Sequence, residues 1–261
     1  MTDLVKYANE TLDKYIRPLT FPIAVRFFKE GEELPPKTKI PRKAFGNPIT
    51  MCQGVTLCRR FGWTLGFYKD DQSCSVSQVC LGYCEEPDFV KDGSLCKPLY
   101  NGNDEAAALT QAMTPKMPAA DTHCIVLCPL DKCEFEPDVI LVYGSGAQII
   151  RLVQGSLYKC GGAVESRFMG RGACGSEVTV PMTTDKVNVI IPGGGERVFG
   201  LCGDDEIAFA MPKSKIKDVC DGVIAVHKGG VARIPTPFAG LTNRPAMPPY
   251  YAKLEEYCGL K

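Results

Sequence analysis

The chain has 261 residues with 30 basic and 30 acidic side chains, and 45% of it is hydrophobic, which is enough for a sizeable core. The balanced charge leaves no cationic field, and no run of basic residues marks a nucleic-acid-binding face. The longest uncharged apolar run, 139–150, is shorter than the roughly 18 residues that a membrane span needs. We therefore expect neither a nucleic-acid partner nor a membrane association.

Helical spacing of Leu4, Ala8, Leu12 and Tyr15 predicts a first helix that ends at Arg17, because a residue before proline is pushed out of the helical region. The other elements expected up to residue 120 are a strand over 21–28, a helix capped by Asn47 that runs to Gly62, a strand over 63–68, a helix over 76–86 and a loop over 91–120.

In the second half, the apolar runs 124–128 and 139–143 predict strands. Ser145, with Gln148 three residues on, has the capping-box pattern of a helix start. Further expected elements are strands over 187–191 and 206–211 and a helix over 213–223. Because helices and strands interleave irregularly, we expect an α+β fold with a mixed β-sheet flanked by helices. We expect a single compact domain over 1–261, and a division into a cysteine-rich helical lobe, 1–120, and a mixed-sheet lobe, 121–261, stays open.

Fourteen cysteines are the main anomaly of the composition. The first 15 residues carry charges throughout and lack the apolar middle of a signal peptide, so we expect a cytoplasmic location, where thiols stay free or bind metal. So many free thiols are a hazard in air, which favours metal or iron–sulfur binding, an anaerobic setting, or both. With only two histidines, a histidine-built metal centre is not expected.

Nine cysteines lie between Cys52 and Cys133. Cys80 and Cys84 share a face of the predicted helix, and Cys74 precedes it. No C-x-x-C pair occurs, which argues against a zinc ribbon and a bacterial ferredoxin site. The candidate metal ligands are Cys52, Cys74, Cys80, Cys84, Cys128, Cys133 and Cys174. The alternative is that these cysteines are small core residues, as we expect for Cys160, Cys202, Cys220 and Cys258.

Glycine-rich turns are the second candidate feature. Free N–H groups at a helix start attract anions, and glycines let a ligand approach the backbone closely. The candidate binding residues are Gly144, Ser145, Gly146, Gly193, Gly194 and Gly195. There is no full G-x-G-x-x-G and no P-loop lysine, so the sequence carries no nucleotide signature. A third turn, 170–176, places Cys174 where a helix start would depress its pKa.

Six segments between residues 21 and 217 resemble, in their order, the family called domain of unknown function 169. They are FPIAVRFFKEGEELP, MCQGVTLCRRFGW, DQSCSVSQVCLGY, EPDVILVYGSGAQIIRLVQ, GRGACGSEVTVPM and GDDEIAFAMPKSK. The resemblance implies one fold unit and an anaerobic archaeal or bacterial setting, and it supplies no activity. In its terms Cys52, Cys74 and Cys174 lie in shared motifs, whereas the other cysteines are additional.

The leading hypothesis is a cytoplasmic 4Fe-4S protein of anaerobic metabolism that acts on, or passes electrons to, a small anionic substrate. Its partner would be a redox protein or a larger enzyme complex, and homo-oligomerisation stays open. One alternative is a non-redox protein that binds a small molecule and whose cysteines are core. Another is an accessory protein that delivers a metal or cluster to a partner enzyme.

Overall fold

A six-stranded sheet in the order β2-β3-β1-β4-β6-β5 organises the chain. A computed structural model describes residues 1–100, 102–118, 121–230 and 247–260. Its strands are β1 (Ile23–Phe28), β2 (Leu65–Phe67), β3 (Cys124–Pro129), β4 (Val139–Gly144), β5 (Asn188–Ile190) and β6 (Ile207–Pro212).

The α-helices of the described residues vary from four to thirteen residues. They are α1 (Asp3–Thr11), α2 (Pro41–Phe45), α3 (Met51–Phe61), α4 (Ser75–Cys80), α5 (Asp88–Lys91), α6 (Asp104–Met113), α7 (Gly146–Leu157), α8 (Val180–Thr184), α9 (Gly194–Val198), α10 (Ile216–Lys228) and α11 (Ala252–Tyr257). Two π-helical turns, Leu12–Ile16 and Gly175–Thr179, continue α1 and precede α8. Not one described helix has the length and apolar character that crossing a membrane requires.

Both faces of the sheet are buried, which explains the uninterrupted apolar runs of β3 and β4. Alternate residues of β3 point to opposite sides: Val126 packs with α1, α7 and α10, and Leu127 packs with α3 and α4. We call these sides the α10 face and the α3 face. The layers are helix, sheet and helix, with the two hydrophobic cores separated by the strands.

The α+β class is confirmed, but the expected mixed sheet is antiparallel. All five strand pairings are antiparallel, and parallel pairing within the described chain is confined to the isolated bridges Lys39–Leu65 and Ile49–Gln72. Strands that are distant in the sequence become neighbours in the sheet, as β1 does by pairing with both β3 and β4. The direction of each strand pairing is therefore set by the tertiary fold. The sheet also takes β1 and β2 from before residue 120 and the rest from after it. Residues 119 and 120, where the two lobes were to meet, lie outside the described residues.

Most element predictions are confirmed, and three boundaries are wrong. Thr50, not Asn47, caps α3, because its hydroxyl accepts from the Gln53 N–H while the Gln53 side chain accepts from the Thr50 N–H. The helix expected over 76–86 ends at Cys80, and Gly82 adopts a positive φ of 76° in the turn after it. The region 91–120 is not all loop, since α6 forms behind an Asn103 cap.

Candidate thiol site

Four cysteines from three separate segments gather on the α3 face. Cys52 lies in the first turn of α3, Cys74 caps α4, Cys80 ends α4, and Cys174 precedes the π-helical turn Gly175–Thr179. Cys80 and Cys174 share a hydrogen bond, and Cys52 has Cys174 and Cys74 among its electrostatic neighbours. We call these four residues the thiol site.

Two of the glycine turns border the thiol site. A Cβ added to Gly175 would lie 3.4 Å from the Cys80 Sγ, and one added to Gly195 would lie 3.7 Å from the Cys52 Sγ. The turns also touch each other, because a Cβ on Gly193 would lie 3.2 Å from the carbonyl oxygen of Gly170. The glycine turns therefore lie in close contact with the sulfurs, and at Gly175 a Cβ would also clash with the Pro115 carbonyl oxygen at 2.9 Å.

Burial and mutual contact shift the thiol pKa values in opposite directions. The hydrogen bond from Cys174 lowers the pKa of Cys80, while that same bond and burial raise the pKa of Cys174. Burial also raises the pKa of Cys52. The lowered pKa expected for Cys174 at a helix start is wrong, because its thiol is only 6% exposed and donates to a neighbouring sulfur. Within the thiol site, the Cys80–Cys174 hydrogen bond therefore favours the thiolate at Cys80 over the one at Cys174.

A buried acid pair lies next to the thiols. The Tyr143 hydroxyl is hydrogen-bonded to Glu177 and lies 2.7 Å from the Glu196 carboxylate. One phenol carries one proton, so it cannot donate to both carboxylates. Burial and the charge of Glu196 raise the pKa of Glu177, which is 1% exposed, and this favours its protonated form. The thiol site thus borders a buried proton donor.

Charged and polar groups complete the surroundings of the site. Arg59, 1% exposed, lies over the Tyr143 ring and donates to Glu206 at 2.8 Å. Arg171 contacts the Cys96 sulfur, and its charge helps to lower the pKa of Cys80. Gln72 is 4% exposed, and neither its amide oxygen nor its amide nitrogen has a hydrogen-bond partner in the described part of the chain. Buried amides without any partner are rare in folded proteins.

The remaining candidates lie elsewhere. Cys128 and Cys133 pack in the core of the α10 face, on the other side of the sheet, so one centre cannot bind them together with the thiol site. Cys84 does not share a helix face with Cys80, because α4 ends at Cys80.

The first glycine turn also lies away from the thiols. Gly144, Ser145 and Gly146 lead into α7, which docks on the first helix through the Gln148 amide and the Ile16 carbonyl. The capping-box partner is present, because the Ser145 N–H donates to the Gln148 side chain at 2.8 Å.

Sequence reasoning missed the acids. Glu177 lies in the segment GSEVTV, where a lone carboxylate among small and apolar residues is the one available signal. Arg59 lies in the last turn of α3, where the sequence does not show that its guanidinium is buried on Glu206. Across the described residues, no group of three or more His, Cys, Asp or Glu side chains is arranged around a single metal-ion position.

Comparison with known proteins gives a family and no activity. The family model DUF169, described as "Uncharacterised ArCR", matches residues 11–222, so the chain belongs to this family. An uncharacterised protein of Methanocaldococcus jannaschii is 27% identical over 204 residues, covering 77% of this chain and 85% of that relative. No solved structure matches the chain. The resemblance drawn from the six segments is confirmed.

Proposed function

We propose that this DUF169 protein binds an iron–sulfur cluster of the 4Fe-4S type at the thiol site and works as a cytoplasmic redox protein of anaerobic metabolism. The ligands are Cys52, Cys74, Cys80 and Cys174. The observation that carries the proposal is the gathering of four cysteines from three separate segments on one face of the sheet, beside two glycine turns. Such a cluster supplies one-electron transfer when bound.

The donor set suits a cluster better than a single ion. Soft thiolates are the preferred ligands of iron–sulfur clusters. Each thiolate of a 4Fe-4S cluster binds a different iron, so its ligands do not need to surround one point. Cys80 and Cys174, which share a hydrogen bond without a cluster, would be two of its ligands, and two glycine turns lie beside the sulfurs.

The surrounding groups support the same site. The unpartnered Gln72 amide offers a hydrogen-bond donor two residues before Cys74. Thiols must lose their protons to bind iron, and burial raises the pKa of Cys52 and Cys174, so cluster binding releases protons and is favoured by higher pH. Arg171 offsets part of the negative charge that the thiolates bring to the site.

Iron and acid-labile sulfide analysis of protein purified without oxygen tests the proposal. We expect about four irons and four sulfides per chain and a broad absorbance in the visible range that dithionite bleaches. The variant Cys80→Ser/Cys174→Ser should lose the iron with its sulfide and the visible absorbance. The matched control, Cys128→Ser/Cys133→Ser, changes a hydrogen-bonded thiol pair on the α10 face and should keep them. Colourless wild-type protein without iron, or iron retained by the first variant and lost by the second, would overturn it.

A specific observation also favours work with a partner protein. Val198, Phe199 and Leu201 come after the glycine turn beside Cys52 and are 70%, 52% and 70% exposed. Exposed apolar residues next to a site commonly mark protein interaction. A delivery role predicts that the iron-loaded protein transfers its cluster to an apo-ferredoxin, whereas an electron carrier keeps its iron and is only oxidised. Retention of iron in that mixture rules out delivery to this acceptor.

A further inference from the structure

A cleft of about 710 Å³ opens beside the edge strand β5, separate from the thiol site. Its walls come from the ends of α6 and α7, the loop 160–167, the π-helical turn with α8, β5 with the residues before it, and the start of α10 with Lys215 before it. This volume falls in the usual range of small-molecule sites, about 300–1,000 Å³. None of the four thiol-site cysteines lines the cleft, so a ligand can bind there whether or not the thiol site holds a cluster.

The cleft is preformed. The Ser166 hydroxyl accepts a hydrogen bond from the Val189 N–H at 3.0 Å, which ties the loop to the otherwise open edge of β5. Asn188, 2% exposed, donates to the Ser176 carbonyl at 2.8 Å and fixes the strand against the π-helical turn. Both walls are therefore held by hydrogen bonds before any ligand binds, which lowers the entropic cost of binding.

The lining combines apolar and basic side chains. Val180, Val187 and Val219 supply aliphatic surface. Five lining residues are basic (Lys116, Lys159, Arg167, Lys186 and Lys215), and two are acidic (Glu165 and Asp218).

Existing ion pairs show which cations are left for a ligand. Lys116 pairs with Glu86 at 2.8 Å, Lys159 with Asp218 at 2.6 Å, and Lys215 with Asp185 at 3.3 Å. Arg167 and Lys186 have no ion pair within the part of the chain that the structure describes.

We propose that this cleft binds an organic anion with an apolar body and one acidic head group. The body contacts the aliphatic surface of Val180, Val187 and Val219, and the head group pairs with Arg167 and Lys186. A neutral ligand of the same shape leaves both cations unpaired and binds more weakly. Carboxylates, sulfonates and phosphates share the chemistry of this head group.

Fluorescence titration with 8-anilinonaphthalene-1-sulfonate tests the proposal, with N-phenyl-1-naphthylamine as the same ring system without the sulfonate. We expect one saturable sulfonate site per chain and at least tenfold weaker binding of the neutral probe. Arg167→Gln/Lys186→Gln should weaken sulfonate binding at least tenfold. The control Lys37→Gln/Lys43→Gln, which neutralises two exposed lysines outside the cleft, should change it less than twofold.

A second variant tests the place of binding. Ala163→Trp puts a large side chain into the cleft from an exposed loop position, so the fold is retained, and it should abolish saturable binding of both probes. Circular dichroism and thermal unfolding confirm that each variant is folded. Unchanged sulfonate affinity in either cleft variant, or equal affinity for the neutral probe, would overturn the proposal. Competition by octanoate and by octyl phosphate then separates the two natural head groups.

Discussion

The two faces of the sheet bury cysteine in different surroundings. On the α10 face, Cys128 and Cys133 also share a hydrogen bond, but each has a further partner close in sequence, Cys133 with the Phe135 carbonyl at 3.1 Å and Cys128 with the Pro129 carbonyl at 3.5 Å. The helices α1, α7 and α10 and aliphatic side chains cover that face.

On the α3 face, short helices, glycine turns and a π-helical turn surround the thiols, together with buried Arg59, Glu177 and Gln72. Buried polar groups cost stability unless they are satisfied, and they concentrate where a protein acts. The same residue type is thus packing material on one face and a candidate functional group on the other. The surroundings of a thiol, not the number of thiols, make this distinction.

The largest expected contrast is in thiol labelling of the metal-free protein. Cys74 is partly exposed, whereas Cys133 is fully buried and burial adds to the rise of its pKa, so its labelling requires local or global opening. We expect N-ethylmaleimide to modify Cys74 at least roughly 100-fold faster than Cys133, measured by mass spectrometry of the peptides. Exposed Cys160 is the internal standard. Equal rates at Cys74 and Cys133 would remove the contrast between the faces.

Removing the buried ion pair between Arg59 and Glu206 on the α3 face should have the next largest effect, which is on the free energy of unfolding. Glu206→Gln leaves the Arg59 guanidinium buried without its counter-charge and should lower the free energy of unfolding by about 3 kcal/mol in urea titrations. The matched control is Glu136→Gln, whose pair with Lys213 is half exposed, and it should leave the free energy of unfolding nearly unchanged. Similar losses in the two variants would contradict a special role for Arg59.

The same ion pair makes the free energy of unfolding decrease at low pH. Arg59 holds the pKa of Glu206 at about 2, below its value in the unfolded chain, so the unfolded state binds more protons as the pH falls. The stabilisation is complete above the unfolded pKa and is lost as the pH falls towards about 2. Glu206→Gln should therefore reduce the loss of stability in acid relative to the wild type.

The buried acid pair should make the free energy of unfolding depend on pH with the opposite sign. Because burial raises the pKa of Glu177, the folded state keeps a proton that the unfolded state loses. Stability should then fall as the pH rises above the unfolded pKa, by up to about 1.4 kcal/mol per pH unit, until the folded pKa is passed. Glu177→Gln should flatten this part of the profile, whereas Glu134→Gln, at an exposed position, should leave it unchanged. An unchanged slope in Glu177→Gln would show that Glu177 is ionised.

The smallest effect is expected on the α10 face. Cys220 is 1% exposed in the core of this face, so Cys220→Ala removes packing and a hydrogen bond with Thr11 and should cost about 1 kcal/mol of unfolding free energy. Its iron content should equal that of the wild type. Loss of iron in this variant would show that cysteines on the α10 face do more than fill space.

Local signals in the sequence determined most of the elements, because they act within a few residues. Gly62 ends α3 in the left-handed conformation, Gln148 caps its own helix start, and apolar runs gave β3 and β4. The start of α3 was misplaced because both Asn47 and Thr50 are good caps, and only the reciprocal bond with Gln53 decides between them. Family membership likewise came from the order of local segments.

Only the tertiary structure decided which cysteines are neighbours. Cys52 and Cys174 are separated by 122 positions in the sequence, yet they share the α3 face. Cys124 and Cys128 lie four positions apart, and the alternation of side chains along β3 places both on the α10 face. The partner of Arg59 and the protonation of Glu177 were also set by strands and helices that meet from distant parts of the chain. Capping and periodicity depend on neighbours along the chain, while thiol chemistry, ion pairing and proton binding depend on neighbours in space.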